Sequence, residues 1–185
     1  MIYYMRGMDK PYIMAVDIEY DKNKIIQLGS ITLKNIGENL YQPCRSLNVY
    51  IKTPDVCQFV QDYTNITQEF LDEYGETKEE AKLKWEQYIN DFTFDDVLIV
   101  SHGIYQDSLL MKENGFSIDC YEHWCTYNHS KWVLDRDHNL SLSDVLMDSG
   151  LLPVNQHNAY ADAISTLNVL SFLLKLEGDQ KVWNS

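Results

Sequence analysis

The chain is 185 residues long, with an apolar fraction of 45% and a charged fraction of 23%. These values exclude an intrinsically disordered chain and predict one folded domain over residues 1–185. The formal net charge of −13 argues against a protein that coats long duplex nucleic acid, since that footprint needs clustered Lys and Arg. It does not exclude a protein that takes in one strand end, because bound cations can offset local carboxylates.

The cellular location is expected to be cytoplasmic. The first ten residues hold no apolar run of signal-peptide length, and no stretch approaches the ~20 apolar residues of a membrane span. The four cysteines are then expected to be reduced thiols. Four soft metal ligands lie within ten residues, namely Cys120, His123, Cys125 and His129. Their spacing would not make them converge on a helix and contains no Cys-x₂-Cys knuckle, so buried thiols and surface imidazoles are preferred to a zinc site.

The first half of the chain is typical of β-strands. Segment 12–19 (YIMAVDIE) is a nearly continuous apolar run that ends in acids, as expected of a strand buried on both faces. Segments 24–33 and 45–51 follow it, separated by the turn-rich sequences DKN and NIGEN. This order predicts an antiparallel meander of three strands.

Helices and strands alternate in the second half. Thr77 and Glu80 have the spacing of a capping box and predict the start of an amphipathic helix. A short buried strand is expected at 97–101, followed by a helix that ends at Gly115. The apolar face of the first of these helices is expected to contain Ala81, Trp85, Tyr88 and Ile89.

Three further elements complete the prediction. A brief strand is expected at 117–121, and a short helix is expected to begin at Ser141 with Asp144 and to close at Gly150. The last helix is expected over about 158–176, with an apolar stripe of Ala163, Leu167, Leu170 and Leu174. The predicted fold class is α/β, with a mixed five-stranded sheet (a three-strand antiparallel meander plus two parallel strands) flanked by helices.

Asp17 and Glu19 end the first predicted strand. Residues i and i+2 point to the same face of a strand, so both carboxylates would project together from an apolar segment. Two adjacent anions are costly unless a cation neutralises them, which favours a metal site. Chance alone supplies about one Asp-x-Glu in a chain of this composition, so the alternative that one acid simply faces solvent stays open.

Two more acids and a histidine follow later in the chain. Asp107 lies near the start of a predicted helix, where capping of the helix dipole is the plain alternative to metal binding. Asp162 is flanked by alanines, whose small side chains would let its helix pack closely on the sheet. His157 lies five residues earlier, in the preceding loop, where a surface histidine is the plain alternative to a catalyst.

In combination and order, these residues resemble the DEDDh exonucleases, the DnaQ-like family that includes proofreading exonucleases and RNase T. AVDIEYDKNKIIQLGSITL is similar to the first family motif, and YTNITQEFLDEYGETKEEAKLKWEQYI to its Thr-Gly-Ile-Thr stretch and following helix. LIVSHGIYQD resembles the second motif and LSLSDVLMDSGLLPVNQHNAYADA the third, which is the most specific. The resemblance covers about residues 12–176. It implies an RNase H-like fold in a single exonuclease domain.

The sequence departs from the family pattern at four positions. Gly103 and Gln106 stand where the family commonly has Asn and an aromatic residue in the second motif. Tyr20 stands in place of a Thr, and Asn65 in place of a Gly. None of these changes removes a metal ligand.

The resemblance implies a 3′–5′ exonuclease that releases nucleoside 5′-monophosphates from single-stranded DNA or RNA. Asp17 would bridge two divalent cations, with Glu19 and Asp162 on the ion at the attacking water. Asp107 would act on the other ion, directly or through water, and His157 would take the proton of the attacking water. Carboxylate ligands favour Mg²⁺ or Mn²⁺.

Substrate contacts are expected beside the motifs. The residues that could stack on a base or contact a phosphate are Ile18, Tyr20, Ile66, His102 and Tyr105. The low basic content predicts modest affinity unless a protein partner delivers the substrate, and a homodimer is left open. A catalytically silent binding module, a nuclease of another polarity and a structural protein with scattered surface acids are the competing hypotheses.

Overall fold

The structure is a computed structural model that describes residues 1–153 and 157–183, with side chains up to residue 179. Within these residues the strands are β1 (Tyr3–Tyr4), β2 (Tyr12–Asp21), β3 (Lys24–Gly37), β4 (Leu40–Tyr50), β5 (Val97–Ser101) and β6 (Glu122–Cys125). The helices are α1 (Gln58–Thr64), α2 (Gln68–Tyr74), α3 (Lys78–Ile89), α4 (Ile104–Asn114), α5 (Thr126–Val133), α6 (Leu142–Asp148) and α7 (Ala159–Trp183).

The six strands form one mixed sheet in the order β1-β4-β3-β2-β5-β6. Strands β2, β3 and β4 are the predicted antiparallel meander, and β5 and β6 continue the sheet in parallel with β2. The α/β class with an antiparallel meander and two parallel strands is therefore confirmed. The strand count is six rather than five, because the two residues of β1 pair with the start of β4.

The two faces of β2 belong to two different hydrophobic clusters. Met14, Val16 and Ile18 pack on the side that contains α3 and α4. Ile13 and Ala15 pack on the side of α7, whose predicted stripe of Ala163, Leu167, Leu170 and Leu174 is buried there. Because side chains alternate along a strand, Asp17 and Glu19 lie on the same face of β2 as Ile13 and Ala15, which is the face covered by α7.

The capping boxes and the terminal glycine predicted from the sequence mark the ends of three helices correctly. The Thr77–Glu80 capping box is formed, and Ser141 and Asp144 form a second one ahead of α6. Gly115 adopts the left-handed conformation (φ 86°) that ends α4, as its lack of a Cβ allows. The turn predicted in NIGEN is confined to Glu38 and Asn39, both left-handed, so β3 and β4 extend beyond the predicted 24–33 and 45–51.

The strand predicted at 117–121 was wrong. That segment turns, with the Tyr121 N–H donating to the Ile118 carbonyl at 3.0 Å, and the strand follows at Glu122–Cys125. Phe116 and Ile118 are buried in the core beside α3, so their apolar character reflects loop anchoring rather than strand pairing. No helix among the described residues has the length and apolar character of a membrane span.

Candidate active site

A cleft of about 270 Å³ opens where β2 and β5 end at their carboxyl sides. This is the edge at which open α/β sheets bind their ligands. The fold brings all five residues predicted to be catalytic to its wall, although they come from three separate segments of the chain. The lining residues are Asp17, Ile18, Glu19, His102, Gly103, Asp107, Ser141, Leu142, Ser143, His157 and Asp162.

Asp17 and Glu19 lie two residues apart near the carboxyl end of β2, so their side chains project from the same face of the strand. The β2–β3 register shifts immediately after Glu19, before Tyr20, and such a bulge re-aims side chains at a strand end. Burial, then repulsion from Asp107, Glu19 and Asp162, raises the pKa of Asp17 well above its ordinary value. Burial, then Asp162 and Asp107, raises the pKa of Glu19 to about 8. The two carboxylates therefore stand in a low-dielectric, anion-rich place that favours a bound cation.

Asp107 lies in the first turn of α4 and faces the cleft. Its carboxylate accepts a hydrogen bond from the Ser101 hydroxyl, which in turn accepts the Gly103 N–H at 3.0 Å. Burial raises the pKa of Asp107 to about 6, although the Ser101 bond opposes this rise. A Cβ at Gly103 would meet the Asp107 carboxylate oxygens at an ordinary 3.8 Å. The departures at Gly103 and Gln106 thus leave Asp107 inside the cleft.

Asp162 lies in the first turn of α7 and is fixed by two backbone bonds. Its Oδ2 accepts the His157 N–H at 2.9 Å, and its own N–H donates to the Asn158 carbonyl at 2.9 Å. Burial nevertheless raises its pKa to about 6, because the backbone donors only partly offset desolvation. The Oδ2 atom of Asp162 is engaged by the backbone of the preceding loop, which leaves the other carboxylate oxygen to the cleft.

His157 faces the acids from the loop ahead of α7. Its backbone is left-handed (φ 62°), a strained conformation for a residue with a Cβ. Its ring stacks on Tyr63, with the centroids 3.7 Å apart and an interplanar angle of 29°. Burial lowers the pKa of His157, which keeps the imidazole neutral near pH 7. A ligand atom of His157 and one from each of Glu19 and Asp162 lie within 4.8 Å of one another.

Two residues that the sequence analysis missed dock the start of α7. Gln27 and Gly29 pair directly across from Glu19 and Asp17 on β3. The buried Gln27 side chain accepts the Ala159 N–H at 3.0 Å and donates to Asn48 at 2.9 Å. A Cβ on Gly29 would lie 2.2 Å from the Tyr160 backbone nitrogen. A glycine inside a strand signals such a close backbone approach, and this signal was present in the sequence.

Tyr63 was also missed, although its position near the acids is clear in the structure. Burial, then the charges of Glu19 and Asp162 and the nearby Tyr20, raises the pKa of the Tyr63 hydroxyl. No chemistry-bearing motif marks it in the sequence, because its partner His157 lies 94 positions later.

The predicted substrate-binding residues are dispersed. Ile18 borders the cleft but packs its side chain into the core, and Ile66 is buried in a cluster with Ile26, Val56 and Leu71 away from it. The exposed Tyr105 does not line the cleft. Tyr20 accepts a hydrogen bond from Gln106 at 2.9 Å, which ties β2 to α4.

His102 lines the cleft with both ring nitrogens engaged. Its Nε2 donates to the Leu140 carbonyl at 3.0 Å, since a carbonyl can only accept, and its Nδ1 lies 3.0 Å from the Thr126 hydroxyl. Burial lowers the pKa of His102, so the ring is neutral. Its two contacts link the end of β5 to α5 and to the segment just before α6.

The four Cys and His residues weighed as a zinc site are spread over different elements. Cys120 precedes β6 in a turn, His123 and Cys125 belong to β6, and His129 belongs to α5 beside Trp124. Among the described residues, the group whose metal-ligating atoms come together is Glu19, His157 and Asp162, and none of these four belongs to it.

Comparisons with known proteins agree with this fold. The family model of RNase T, described as "Exonuclease", matches residues 6–170. E. coli Exonuclease I in complex with a dT13 oligonucleotide has the same fold, with a TM-score of 0.69 at 14% identity over 94% of this chain and 43% of that chain. Its zinc ion bound form with single-stranded DNA also gives 0.69 at 14% identity, over 92% and 42%.

A second solved structure matches this chain over most of the length of both proteins. A 3′-exonuclease, solved for its 3′-end specific recognition of a histone mRNA stem-loop, gives a TM-score of 0.68 at 11% identity, over 91% of this chain and 84% of that chain. The present chain spans less than half of Exonuclease I. No curated protein is significantly similar to it in sequence. Because the family match extends over most of the chain, the protein belongs to the RNase T exonuclease family, DEDDh or DnaQ-like nucleases with an RNase H-like fold.

Proposed function

We propose that this protein is a 3′–5′ exonuclease that releases nucleoside 5′-monophosphates from single-stranded DNA or RNA with two divalent cations, Mg²⁺ or Mn²⁺. The observation that carries the proposal is the convergence of four carboxylates and one neutral histidine on a single cleft. The family match supports hydrolysis of a phosphodiester, and the cleft supplies the groups that this reaction needs.

The residues present fit divalent cations. Asp17, Glu19, Asp107 and Asp162 offer hard oxygen ligands. Burial raises the pKa of each, so bound cations would offset the cost of ionising these acids in the cleft. These four side chains would hold the ions. When bound, two cations stabilise the attacking and leaving oxygens of an in-line phosphoryl displacement.

His157 is proposed as the general base. Its lowered pKa leaves the imidazole unprotonated at neutral pH, able to accept a proton from the attacking water. Its backbone bond to Asp162 couples the loop that carries the base to the helix that carries an acid. The main chain at His157 therefore keeps a fixed relation to Asp162.

The substrate is proposed to be the 3′ end of a single strand. Exonuclease I is described with oligo-dT and the 3′-exonuclease with an RNA stem-loop, so related folds accept both sugars. With a net charge of −13, this chain is expected to bind weakly and to dissociate often. We propose that a partner protein delivers the substrate, and a homodimer is an alternative way to extend the binding surface.

The polarity and the activity are tested together. Oligonucleotides of DNA and RNA, 5′-labelled and either free or blocked at the 3′ end, are incubated with the protein and Mg²⁺ or Mn²⁺. We expect stepwise shortening of the free substrate and no reaction of the blocked one. Equal cleavage of both would indicate an endonuclease, and tight binding without cleavage would indicate the silent binding module.

A further inference from the structure

Helix α1 carries two aromatic side chains that face solvent beside the cleft. Phe59 is 73% exposed and Tyr63 is 50% exposed, although both are large and apolar. Their rings are nearly parallel, with centroids 5.8 Å apart and an interplanar angle of 13°. The other partner of Tyr63 is the His157 ring, at 3.7 Å. The rings of Phe59, Tyr63 and His157 therefore form a stacked row that begins on α1 and ends at the proposed catalytic histidine.

The main chain of His157 is anchored, but that anchor does not orient its ring. The Asp162 carboxylate holds the backbone N–H at 2.9 Å in the left-handed conformation. Rotation about the side-chain bonds remains, and it would carry the imidazole away from Glu19 and Asp162. A contact on the ring face is one way to restrain this rotation.

Stacking suits a general base better than a hydrogen bond does. The lone pair of an imidazole nitrogen lies in the plane of the ring, whereas a stacked neighbour contacts the face. The Tyr63 contact thus restrains the ring and leaves both nitrogens able to exchange protons. His102, in the same cleft, has both nitrogens engaged by the protein and shows the opposite arrangement.

We infer that Tyr63 is a positioning residue, whose ring holds the His157 imidazole at the acidic cleft in the free enzyme. The inference rests on the proposed role of His157 as the base. An aromatic stack of this kind shifts an equilibrium by a factor of about 2 to 12, so loss of the ring should lower the oriented population of His157 by that factor. The Tyr63 hydroxyl has no part in this role.

Three variants separate the ring, the hydroxyl and the neighbouring surface. Tyr63→Leu removes the stack, Tyr63→Phe keeps it without the hydroxyl, and Phe59→Leu removes the outer ring that does not touch His157. Both positions are at least half exposed, so we expect all three proteins to fold with similar melting temperatures.

The first measurement needs neither substrate nor activity. The chain has five histidines, and the imidazole proton signal that disappears in His157→Ala assigns the base in the NMR spectrum. A ring stacked on Tyr63 should show an upfield ring-current shift. That shift should persist in Tyr63→Phe and Phe59→Leu and vanish in Tyr63→Leu.

The second measurement is steady-state hydrolysis of an oligonucleotide. In Tyr63→Leu, kcat should fall by about 2- to 12-fold with KM within twofold of wild type, and Tyr63→Phe should retain wild-type kcat. An unchanged His157 signal in Tyr63→Leu would overturn the inference. So would a raised KM with an unchanged kcat, since Tyr63 would then contact the substrate. If the wild type releases no nucleotide, the proposed function fails, whereas the NMR shift still decides whether Tyr63 orients His157.

Discussion

The four carboxylates of the cleft are held in three different ways. Asp107 accepts the hydroxyl of Ser101, and Asp162 accepts the backbone N–H of His157. Asp17 and Glu19 are held by the β2 backbone and its bulge. These interactions lower the pKa of Asp107 and Asp162 but do not offset burial, which raises the pKa of all four. Ionisation of these acids therefore destabilises the metal-free fold. A bound cation would remove this penalty.

Glu19→Gln should stabilise the metal-free protein at high pH. The folded-state pKa of about 8 lies above the unfolded value, so the folded state prefers the protonated acid, and the penalty grows as pH rises from about 4 to about 8. We expect a gain of about 1–3 kcal/mol at pH 8, or roughly 2–12 °C in melting temperature, and almost none at pH 4. Thermal unfolding in EDTA at both values measures this. An equal melting temperature of the two proteins at pH 8 would show that burial and the neighbouring acids do not penalise the ionised Glu19.

His157→Ala should lower kcat by about 10²–10⁴-fold while leaving metal binding to the carboxylates. The side chain is partly exposed and its backbone bond to Asp162 does not need the imidazole, so the fold should persist. Single-turnover hydrolysis, with circular dichroism as the folding control, checks this. A purified variant with a near-normal rate would remove His157 from the proton-transfer step.

At the scale of elements, the site depends on how closely α7 approaches the sheet. Gly29 gives the room, and Gln27 pairs with the first N–H of the helix. Both lie on β3 opposite the acids of β2. Asp162 lies on α7, and His157 lies in the loop before it. The close approach that Gly29 allows therefore sets the distance of both residues from the acids of β2.

Gly29→Ala should impair both the fold and the reaction. A Cβ there would lie 2.2–2.5 Å from backbone atoms of Ala159 and Tyr160, so the helix start must move. Overpacking of this kind costs about 1–3 kcal/mol, and a displacement of about 1 Å at a reacting group can cost about 10²-fold in rate. Unfolding curves and hydrolysis rates at one temperature below both transitions measure the two effects.

The control for that variant is Leu170→Ala, a cavity in the same helix–sheet interface far along α7 from the cleft. It should destabilise the fold by about 2–5 kcal/mol without a comparable loss of rate in the folded protein. Equal rates for the two variants would show that the docking of α7 at Gly29 does not set the geometry of the site.

The sequence predicted those elements whose ends or buried faces are marked by neighbouring residues, such as helix caps and apolar repeats. The capping boxes at Thr77 and Ser141, the apolar stripe of α7 and the β2–β3–β4 meander were correct. Helix α1 was not predicted, because it has seven residues and its N-cap Cys57 makes no side-chain cap bond. The strand placed at 117–121 was wrong, because buried loop anchors and a short strand have the same apolar signature.

The site was predictable to the extent that its residues belong to motifs. The structure brings the five predicted catalytic residues to one cleft, and their roles remain proposals. Gln27, Gly29 and Tyr63 were not predicted, since each acts through a segment about 90 to 130 positions away in the chain. Ile66 was chosen for its place in a motif, and its burial beneath α1 and α2 depends on packing that no local pattern reveals.

At the scale of the whole molecule, the net charge makes the proposed cations important for binding a nucleic acid. The net charge of −13 includes the four acids of the cleft, and the proposed nucleic-acid substrate is also an anion. Cations bound in the cleft would reverse the local charge where the phosphate must enter. Protons compete for the same oxygens.

The apparent Mg²⁺ affinity should therefore fall at low pH. Glu19 has a pKa of about 8, and Asp107 and Asp162 have values of about 6, so their protons must be displaced when a cation binds. We expect the Mg²⁺ concentration for half-maximal stabilisation to rise by about tenfold or more from pH 8 to pH 6. Melting temperatures over Mg²⁺ titrations at both values test this, and an affinity independent of pH would contradict it.

The most direct test of the central claim is the Mg²⁺-dependent release of nucleoside 5′-monophosphates by wild type and Asp17→Asn. Asp17 lies within β2 and feels the charges of Asp107, Glu19 and Asp162, and its amide analogue keeps the shape without the charge. The account predicts mononucleotide release from a free 3′ end by the wild type, its abolition by EDTA, and no release by a folded Asp17→Asn protein. Release by Asp17→Asn at the wild-type rate would contradict it.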